Sequence, residues 1–313
     1  MSKFNILLTD GLDAAGQSIL RQSAEVDDKS GISADDLLKV IPDYDALIVR
    51  GRTKVTASLM DAAARLKVIG RAGVGVDNID LQAAKQHGII VVNAPTSTSI
   101  AVAELTFGLL LALAREIPRA DAAMKQGKWL KKELEGVELH GKTLGVIGFG
   151  RIGVEVGKRA AAFGMNVIAY DPLIPEDEIR RRGADPASLQ DLYAWSDFIS
   201  LHLPLTVDTR DMIGRAAFAQ MKDGVRIVCA ARGGIIDEVA LVEALNSGKV
   251  GGAALDVFSV EPPGLTETVS HPRVIATPHI GAQTAEAQSR ASEDIAQEVL
   301  SALRGAALRW RVA

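Results

Sequence analysis

Residues 144–153 read Leu-Gly-Val-Ile-Gly-Phe-Gly-Arg-Ile-Gly, an apolar run that passes into a turn with three glycines. The run Leu144–Ile147 predicts a buried β-strand, and the amphipathic pattern of Val154–Phe163 predicts a helix after the turn. A second apolar run, Val167–Tyr170, ends at Asp171. Strand, glycine turn, helix, strand and acid in this order are typical of the unit with which proteins bind the pyrophosphate of a dinucleotide.

Each glycine of this turn has an expected task. Gly148 permits the tight turn, Gly150 lets the backbone approach the phosphates, and Gly153 lets the helix pack close to the strand. The helix N-terminus, which begins at Arg151 and Ile152, offers N–H groups and the positive end of the helix dipole to an anion. A glycine-rich turn alone is a weak signal, so the prediction depends on the strands, the helix and the acid together.

The acid indicates which dinucleotide binds. A carboxylate at the end of the second strand accepts hydrogen bonds from the ribose hydroxyls and repels a 2′-phosphate. Residues 172–176 read Pro-Leu-Ile-Pro-Glu, without an Arg or Lys to bind such a phosphate. An aspartate that only caps a turn before proline gives the same pattern and is compatible with this role. Asp171 therefore predicts NAD as the cofactor.

Composition excludes several classes of protein. The chain has 313 residues, 48% of them hydrophobic, with 29 glycines and a net charge of −4, which fits about two α/β domains without general attraction to nucleic acid or anionic membranes. The single cysteine, Cys229, excludes an internal disulfide framework. The apolar stretch Leu105–Ala114 is too short to span a bilayer, and the N-terminus lacks a signal-peptide pattern. We expect a cytoplasmic protein.

Apolar runs alternate with helical patterns along the chain, which predicts parallel sheets. Predicted strands before the glycine turn are 4–8, 46–49, 67–69 and 89–92, and those after it are 198–201, 226–229, 252–255 and 273–276. Predicted helices are 33–41 with a Ser33–Asp36 capping pair, 56–66, 80–87 ending at Gly88, 98–116, and 284–304, which is expected to cover the first domain. The polar segment 117–140 is either an arm over a partner chain or a surface excursion.

Four further segments resemble a known family. They read Gly-Arg-Ala-Gly-Val-Gly-Val-Asp-Asn at 70–78, Ala-Ala-Arg-Gly-Gly-Ile-Ile-Asp-Glu at 230–238, Asp-Val-Phe-Ser-Val-Glu-Pro-Pro at 256–263 and Ala-Thr-Pro-His-Ile-Gly-Ala at 276–282. With the glycine turn, they resemble the D-isomer-specific 2-hydroxyacid dehydrogenases over essentially the whole chain. The likeness is closest to members that oxidise D-3-phosphoglycerate, notably at 49–56 and 127–129.

The resemblance implies an α/β fold in which a Rossmann dinucleotide-binding domain is inserted into a smaller flavodoxin-like domain. Residues 1–97 and 284–313 would form the substrate-binding domain, and residues 98–283 the NAD-binding domain. It also implies a homodimer or homotetramer, in which Lys131 reaches a neighbouring subunit's site.

Three residues have the chemistry that oxidation of a 2-hydroxy acid requires. Arg232, Glu261 and His279 each follow a predicted strand, at the sheet edge where α/β proteins bind ligands. Imidazole titrates near neutral pH, so His279 suits the proton transfer, and a carboxylate beside it fixes the tautomer and favours the imidazolium. The resemblance assigns that carboxylate to Glu261, while Arg232 has a fork suited to a carboxylate and a keto oxygen. Without a catalytic role, Arg232 would be part of a surface ion pair, Glu261 would be solvated, and His279 would form a hydrogen bond within its loop.

Further cofactor contacts follow from the resemblance alone. The predicted set beyond the glycine turn and Asp171 is Val74, Leu203, Ala230, Ala231, Arg232, Asp256, His279, Gly281 and Ala282, with Asp256 near the nicotinamide amide. His202 is predicted to be structural or adjacent to the cofactor, and not the base. The sequence has no cluster with metal-ligand spacing, so no metal is expected.

The substrate is expected to meet the 70–75 loop. Its backbone N–H groups can bind a carboxylate as a nest does, and the resemblance places that carboxylate at Val74 and Gly75. Arg50 and Arg71 follow neighbouring strands and are predicted to bind a distal phosphate; a lone arginine here could equally be solvated. Arg232 and His279 complete the predicted substrate set.

Two positions depart from the pattern of phosphoglycerate dehydrogenases, namely Thr98 in place of Asn and Gly51 in place of Ser. The expected reaction is NAD-dependent oxidation of D-3-phosphoglycerate, the first step of serine synthesis, with a glyoxylate or hydroxypyruvate reductase as the alternative. An NAD-sensing binding protein of the corepressor type is a more distant alternative. The chain ends at Ala313, so serine feedback through a C-terminal module is not expected.

Overall fold

The computed structural model describes residues 3–313, which divide into two compact units. The first unit contains the residues up to Ser99 together with Ala282–Ala313, and the second contains Ile100–Gly281. These limits lie within two residues of the predicted domain limits. Each unit has its own hydrophobic core, and none of the four buried clusters combines residues of both units.

The first unit is a five-stranded parallel sheet in the order β2-β1-β3-β4-β5. Its strands are β1 (Phe4–Leu8), β2 (Ala24–Asp28), β3 (Ala46–Val49), β4 (Val68–Arg71) and β5 (Ile90–Asn93), and its helices are α1 (Ala14–Arg21), α2 (Ala34–Val40), α3 (Ala57–Ala62), α4 (Leu81–Gln86) and α13 (Ala285–Leu303). This strand order is that of flavodoxin-like folds, as predicted. The central strand β3 is buried along its whole length.

The last residues of the chain complete this sheet. Helix α13 packs on α1, β4 and β5, which confirms that the closing helix covers the first unit. After it, Arg311 pairs with Val92 in an antiparallel bridge. Glu298, which is buried, accepts hydrogen bonds from the N–H groups of Arg309 and Trp310 and so fixes the start of this segment.

The second unit is a seven-stranded parallel sheet in the order β12-β11-β10-β9-β6-β7-β8. Its strands are β6 (Thr143–Ile147), β7 (Asn166–Tyr170), β8 (Asp185–Pro186), β9 (Phe198–Leu201), β10 (Val225–Cys229), β11 (Val250–Leu255) and β12 (Val274–Ala276). Its helices are α5 (Ser99–Arg115, which starts on the last residue of the first unit), α6 (Ile117–Lys125), α7 (Arg151–Ala162), α8 (Glu176–Arg181), α9 (Leu189–Trp195), α10 (Arg215–Gln220), α11 (Glu238–Asn246) and α12 (Glu267–Ser270). The chain order reverses between β6 and β9, as in Rossmann domains, where the ligand lies at this point.

The sequence predictions did not include β8, α1, α6 (which lies within the polar segment 117–140) or α8–α12. Two further elements differ from the predictions for local physical reasons. The helix predicted to run from Thr56 to Leu66 ends at Ala62, because the Ala63 N–H turns back to the Met60 carbonyl and the chain leaves the helix there. Strand β2 was not predicted, because at the sheet edge only two of its five residues are buried. Among residues 3–313 no helix combines the length and apolarity needed to cross a membrane.

Candidate active site

The glycine turn after β6 has the geometry that its sequence predicts. Gly148 has a φ of +90°, and a Cβ there would lie 2.5 Å from the His202 carbonyl oxygen. A Cβ on Gly153 would lie 2.2 Å from the Gly148 carbonyl oxygen, so this residue sets how closely α7 approaches the turn. Gly150 is the N-cap of α7, and a Cβ there would meet no atom within 4 Å. The backbone at Gly150 is thus open to a phosphate, which fits a dinucleotide.

Asp171 holds this turn in place. One carboxylate oxygen accepts a hydrogen bond from the Phe149 N–H at 2.9 Å, and the other accepts one from the Leu173 N–H at 2.9 Å. On the other side of Phe149, the Arg182 guanidinium donates to its carbonyl oxygen at 3.0 Å. Each carboxylate oxygen has a second lone pair, so both bonds are compatible with the predicted bonds to a ribose. Arg182 was not singled out in the sequence, because it lies eleven residues after Asp171.

Arg232 lies on the loop after β10, and the backbone of this loop lies against the backbone of the loop after β11. A Cβ on the next residue, Gly233, would lie 1.8 Å from the Phe258 carbonyl oxygen, so only glycine permits this approach. The Arg232 guanidinium donates to the Ala231 carbonyl oxygen at 2.6 Å, and Ala230 and Ala231 are buried beneath it. Contact through Gly233 therefore joins the loop of Arg232 to the loop that ends in Glu261.

His279 and Glu261 form a direct pair. The His279 Nδ1 atom lies 2.8 Å from Glu261 Oε2, and the other oxygen of Glu261 accepts a hydrogen bond from the Phe258 N–H at 3.1 Å. Burial raises the pKa of Glu261, but the hydrogen bonds from His279 and Phe258 and the charge of Arg232 outweigh it, so this pKa lies below its usual value. Glu261 is therefore ionised at neutral pH, and the His279 side chain is 50% exposed.

Asp256 organises the loop that carries His279. Its carboxylate is buried and accepts hydrogen bonds from the Thr277 hydroxyl at 2.7 Å and from the N–H groups of Ile280 and Gly281, both at 2.8 Å. His279 has a φ of 53°, in the left-handed region that residues other than glycine seldom adopt. These bonds brace the loop of His279, and the role predicted for Asp256 beside a nicotinamide stays a prediction.

His202 and Cys229 lie behind these loops. The Nε2 atom of His202 lies 2.8 Å from the Ser200 hydroxyl, and burial lowers the pKa of this histidine to about 3. His202 is therefore neutral at physiological pH, and its next residue, Leu203, lies against the Gly148 turn. Burial raises the pKa of the Cys229 thiol to about 11, so this thiol is unreactive.

In the first unit, the loop after β4 carries Val74 and Gly75. Gly73 has a φ of +145°, and the Arg71 guanidinium lies over it and donates to the Ala72 carbonyl oxygen at 3.3 Å. The end of β5 fixes the loop from the other side, where the Ala94 N–H donates to the Gly73 carbonyl oxygen at 2.9 Å. The loop predicted to bind the carboxylate therefore has a backbone conformation that favours glycine at Gly73, and hydrogen bonds from Arg71 and Ala94 hold it in place.

Arg50 follows β3, beside Arg71, because Val49 pairs with Arg71 in the register of β3 and β4. Its guanidinium donates to the Gln283 side chain at 2.8 Å, and its backbone N–H donates to the Asp10 carboxylate at 2.8 Å. Burial raises the pKa of Asp10, but hydrogen bonds from Thr53 and Arg50 and the charge of Arg52 lower it below its usual value. The structure therefore brings the two predicted arginines to neighbouring strand ends.

The remaining predicted positions differ in exposure. Thr98 is buried at 3% exposure, whereas a Cβ on Gly51 would meet no atom within 4 Å, so the missing serine side chain changes no packing. Lys131 is exposed, and Gly281 and Ala282 continue the loop of His279. Within residues 3–313, no three His, Cys, Asp or Glu side chains are placed to bind a metal ion together.

Comparison with known proteins decides the family. Residues 107–281 match the model of the D-isomer specific 2-hydroxyacid dehydrogenase NAD binding domain, more than half of the chain. The chain belongs to this family. The match also confirms NAD, the cofactor predicted from Asp171.

Similar members of this family carry several names. The chain is 52% identical over 301 residues to a D-3-phosphoglycerate dehydrogenase of Methanocaldococcus jannaschii, covering 96% of this chain and 57% of that protein. It is 50% identical over 307 residues to a hydroxypyruvate reductase of Thermotoga maritima, covering 97% of this chain and 99% of that protein. A D-lactate dehydrogenase of Aquifex aeolicus, solved with NAD and lactic acid, is 33% identical with a TM-score of 0.83 over 96% of each chain. This family member thus spans a little over half the length of the phosphoglycerate dehydrogenases that it matches.

Several residues at these loops were not predicted from the sequence. They are Asp10, Asn78, Asn93, Arg182 and Gln283. Each donates to or accepts from a loop that carries a predicted site residue. A polar residue at or near a strand end is a signal for Asp10, two residues after β1, and for Asn93, which ends β5. Asn78 lies seven residues after β4 and has no such signal, and the partners of all three lie far away in the sequence.

Proposed function

We propose that this chain oxidises D-3-phosphoglycerate to 3-phosphohydroxypyruvate with NAD, the first step of serine synthesis. The observation that carries the proposal is the 2.8 Å pair of His279 and Glu261 beside the Arg232 loop, at the strand ends of an NAD-binding domain. The 52% identity to a D-3-phosphoglycerate dehydrogenase supports the substrate.

The second unit supplies the cofactor site and the proton transfer. The Gly148–Gly153 turn and the N-terminus of α7 would bind the pyrophosphate, and Asp171 the ribose of the adenosine half. NAD, when bound, supplies the acceptor for the hydride from C2. Because Glu261 engages Nδ1 of His279, the Nε2 atom is left to accept the proton of the 2-hydroxyl. Arg232 would bind the carboxylate and stabilise the growing negative charge on the oxygen at C2.

The first unit supplies groups for the substrate's anionic ends. The N–H groups of Val74 and Gly75 would bind the carboxylate, in the manner of a backbone nest. Arg50 and Arg71 would bind the phosphate, for which two guanidinium groups on neighbouring strand ends are suited.

A hydroxypyruvate reductase is the second candidate. It is favoured by the 50% identity to such an enzyme over 99% of that protein's length. The bond from Arg50 to Gln283 also favours it, because this guanidinium already has an acceptor. Both candidates use His279, Glu261 and Arg232 in the same roles and differ only at the far end of the substrate.

Truncation of Arg50 distinguishes the two candidates. If Arg50 binds the phosphate, Arg50→Ala should lower kcat/KM for 3-phosphohydroxypyruvate far more than for hydroxypyruvate, with NADH as the reductant. A lost charge-assisted contact is worth about 1.5–3 kcal/mol, or roughly ten- to a hundredfold. Arg21→Ala, which removes an exposed arginine from the end of α1, is the matched control and should change neither value.

Equal losses for both keto acids would refute a phosphate contact at Arg50. A native preference for hydroxypyruvate, measured with purified protein before any substitution, would move the assignment to the reductase. If the protein were inactive on every 2-hydroxy and 2-keto acid tested, that result would favour the NAD-sensing binding protein.

A homodimer or homotetramer in the cytoplasm is the proposed assembly. Large apolar side chains are exposed on α5, α6 and the segment after them, and they include Ile100, Ile117, Met124 and Trp129. Exposed large apolar side chains support the proposal, because burial of such side chains is a common feature of subunit interfaces. Light scattering on Trp129→Glu is the test, and the proposal requires that this variant shift toward the monomer.

A further inference from the structure

Two asparagines outside the proposed catalytic set donate their side-chain amides to the two substrate loops of the first unit. We propose that Asn93 and Asn78 are positioning residues that separately set how tightly the carboxylate end and the phosphate end of the substrate bind. The proposal rests on the function proposed above and adds the residues that orient its anion-binding groups.

Asn93 acts on the carboxylate end through the peptide bond of Val74 and Gly75. Its Nδ2 donates to the Val74 carbonyl oxygen at 2.7 Å. A trans peptide is planar, so the Val74 carbonyl and the Gly75 N–H point in opposite directions. A bond to this carbonyl therefore fixes the direction of the Gly75 N–H.

The neighbouring peptide is fixed in the same way. The Ala94 N–H donates to the Gly73 carbonyl oxygen at 2.9 Å, and that carbonyl shares its peptide with the Val74 N–H. Both N–H groups of the proposed nest thus belong to peptides whose carbonyls are bound by consecutive residues at the end of β5. The backbone bond cannot be removed by substitution of a side chain, whereas the bond from Asn93 can.

Asn78 acts on the phosphate end. Its Nδ2 donates to the Arg50 carbonyl oxygen at 3.0 Å and to the Thr53 carbonyl oxygen at 2.7 Å. Asp10 accepts from the N–H groups of Arg50 and Thr53 at 2.8 and 3.0 Å. Both backbone groups of Arg50 are therefore bound, which fixes the point from which its long side chain extends.

The two asparagines act on different loops, so their effects on binding should separate. Loss of Asn93 leaves the Arg50 loop with all its bonds, and loss of Asn78 leaves the Val74 loop with all its bonds. A third asparagine provides the matched control, because Asn5 in the same unit donates its Nδ2 to the Asp43 carbonyl oxygen at 3.2 Å, away from both loops.

The experiment compares Asn93→Ala, Asn78→Ala and Asn5→Ala in the full-length enzyme. Hydroxypyruvate and 3-phosphohydroxypyruvate share the carboxylate and the keto group and differ in the phosphate. Asn93→Ala should raise KM for both keto acids by the same factor, about five- to tenfold. Asn78→Ala should raise KM about five- to tenfold for the phosphorylated acid alone. In both variants kcat should stay within about twofold, because the groups that move the proton are unchanged. Asn5→Ala should change neither KM.

Should an alanine variant fail to fold, the leucine variant replaces it, since Leu is close to Asn in size, removes the donor and adds no charge. Native KM values for both acids in Asn93→Ala would overturn the role of Asn93 while the proposed function stands. An equal rise for both acids in Asn78→Ala would overturn the separate roles. A native enzyme that does not favour the phosphorylated acid would overturn the function proposed above, and with it the role of Asn78, while Asn93 is still judged on hydroxypyruvate. A native enzyme inactive on both acids overturns all of these assignments.

Discussion

The His279–Glu261 pair joins two loops through one short contact of 2.8 Å. The lowered pKa of Glu261 keeps its negative charge through neutral pH. Hydroxy-acid oxidation needs the neutral imidazole and keto-acid reduction needs the imidazolium. The two directions should therefore have opposite pH profiles.

Substitution of Glu261 by Gln should move both profiles to lower pH. A negative charge beside an imidazole favours its protonated form, and the Gln amide removes that charge. We expect the midpoint of the rise in oxidation rate to fall to a lower pH, as measured by kcat/KM from pH 5 to 10. Glu238→Gln is the control, because Glu238 binds the nearby Ser259 N–H and does not contact the ring. An unchanged midpoint in Glu261→Gln would exclude Glu261 as the partner that tunes the base.

Asp171 should decide the choice between NAD and NADP. We expect the native protein to prefer NAD, and Asp171→Asn to narrow the ratio of kcat/KM values by about ten- to a hundredfold, because it removes the charge that repels a 2′-phosphate. The amide oxygen of Asn can still accept from the Phe149 N–H, so the turn keeps its bond. Asp171→Ala removes both the charge and the bond to the Phe149 N–H, so this variant should also bind NAD more weakly. Comparable efficiencies of the native protein with both cofactors would contradict this role.

At the scale of elements, the turn between β6 and α7 combines a structural glycine with an open one. Gly148 has a positive φ and a Cβ there would lie 2.5 Å from a carbonyl oxygen, whereas Gly150 has an ordinary φ of −74° and open space. The two glycines lie two residues apart and should respond to alanine in opposite ways.

Gly148→Ala should destabilise the protein, and Gly150→Ala should weaken NAD binding. Strain and a backbone clash cost about 1–3 kcal/mol or more at Gly148, which lowers Tm by several degrees. At Gly150 we expect a Tm within about 1 °C of native and a Kd for NAD raised at least about tenfold, because a methyl group would occupy the space of a phosphate. Thermal unfolding and NAD titration check both values. If Gly150→Ala bound NAD as tightly as the native protein, the pyrophosphate would have to lie elsewhere.

At the scale of the whole molecule, each unit has its own hydrophobic core, although one unit is inserted into the sequence of the other. The second unit is inserted between Ser99 and Ala282 of the first. Ligands that bind one unit alone should therefore stabilise that unit alone.

NAD should raise the unfolding temperature of the second unit selectively. At a concentration of about 100 times its Kd, a ligand adds about 2.7 kcal/mol, which corresponds to roughly 5–10 °C for a unit of this size. Calorimetry of the chain should show two unfolding transitions, and NAD should raise the midpoint temperature of only one of them. Hydrogen exchange of β6, in the second unit, and of β3, in the first, would assign each transition to its unit. A single transition that moves as a whole would show that the units unfold together.

Sequence patterns predicted much of this architecture because the decisive features are local. Buried parallel strands are continuous apolar runs, so β1, β3 and β9 were predicted with the bounds that the structure has. Caps are local too, and the Ser33–Asp36 pair and the glycine after α4 were predicted correctly. Edge strand β2 and the early end of α3 escaped prediction, because few of their residues carry a hydrophobic period.

The sequence alone determined the fold class, the cofactor and the proposed catalytic residues. The glycine turn with Asp171 requires a fixed order of a few neighbouring residues, and such an order can be read without coordinates. Tertiary structure alone decided which side chains support these groups. Asp256 binds residues more than twenty positions later, and Asn78 and Asp10 reach Arg50 across 28 and 40 positions. The physical reason is that a hydrogen bond depends on distance in space, and only the packing of parallel strands brings the ends of distant segments to one edge of a sheet.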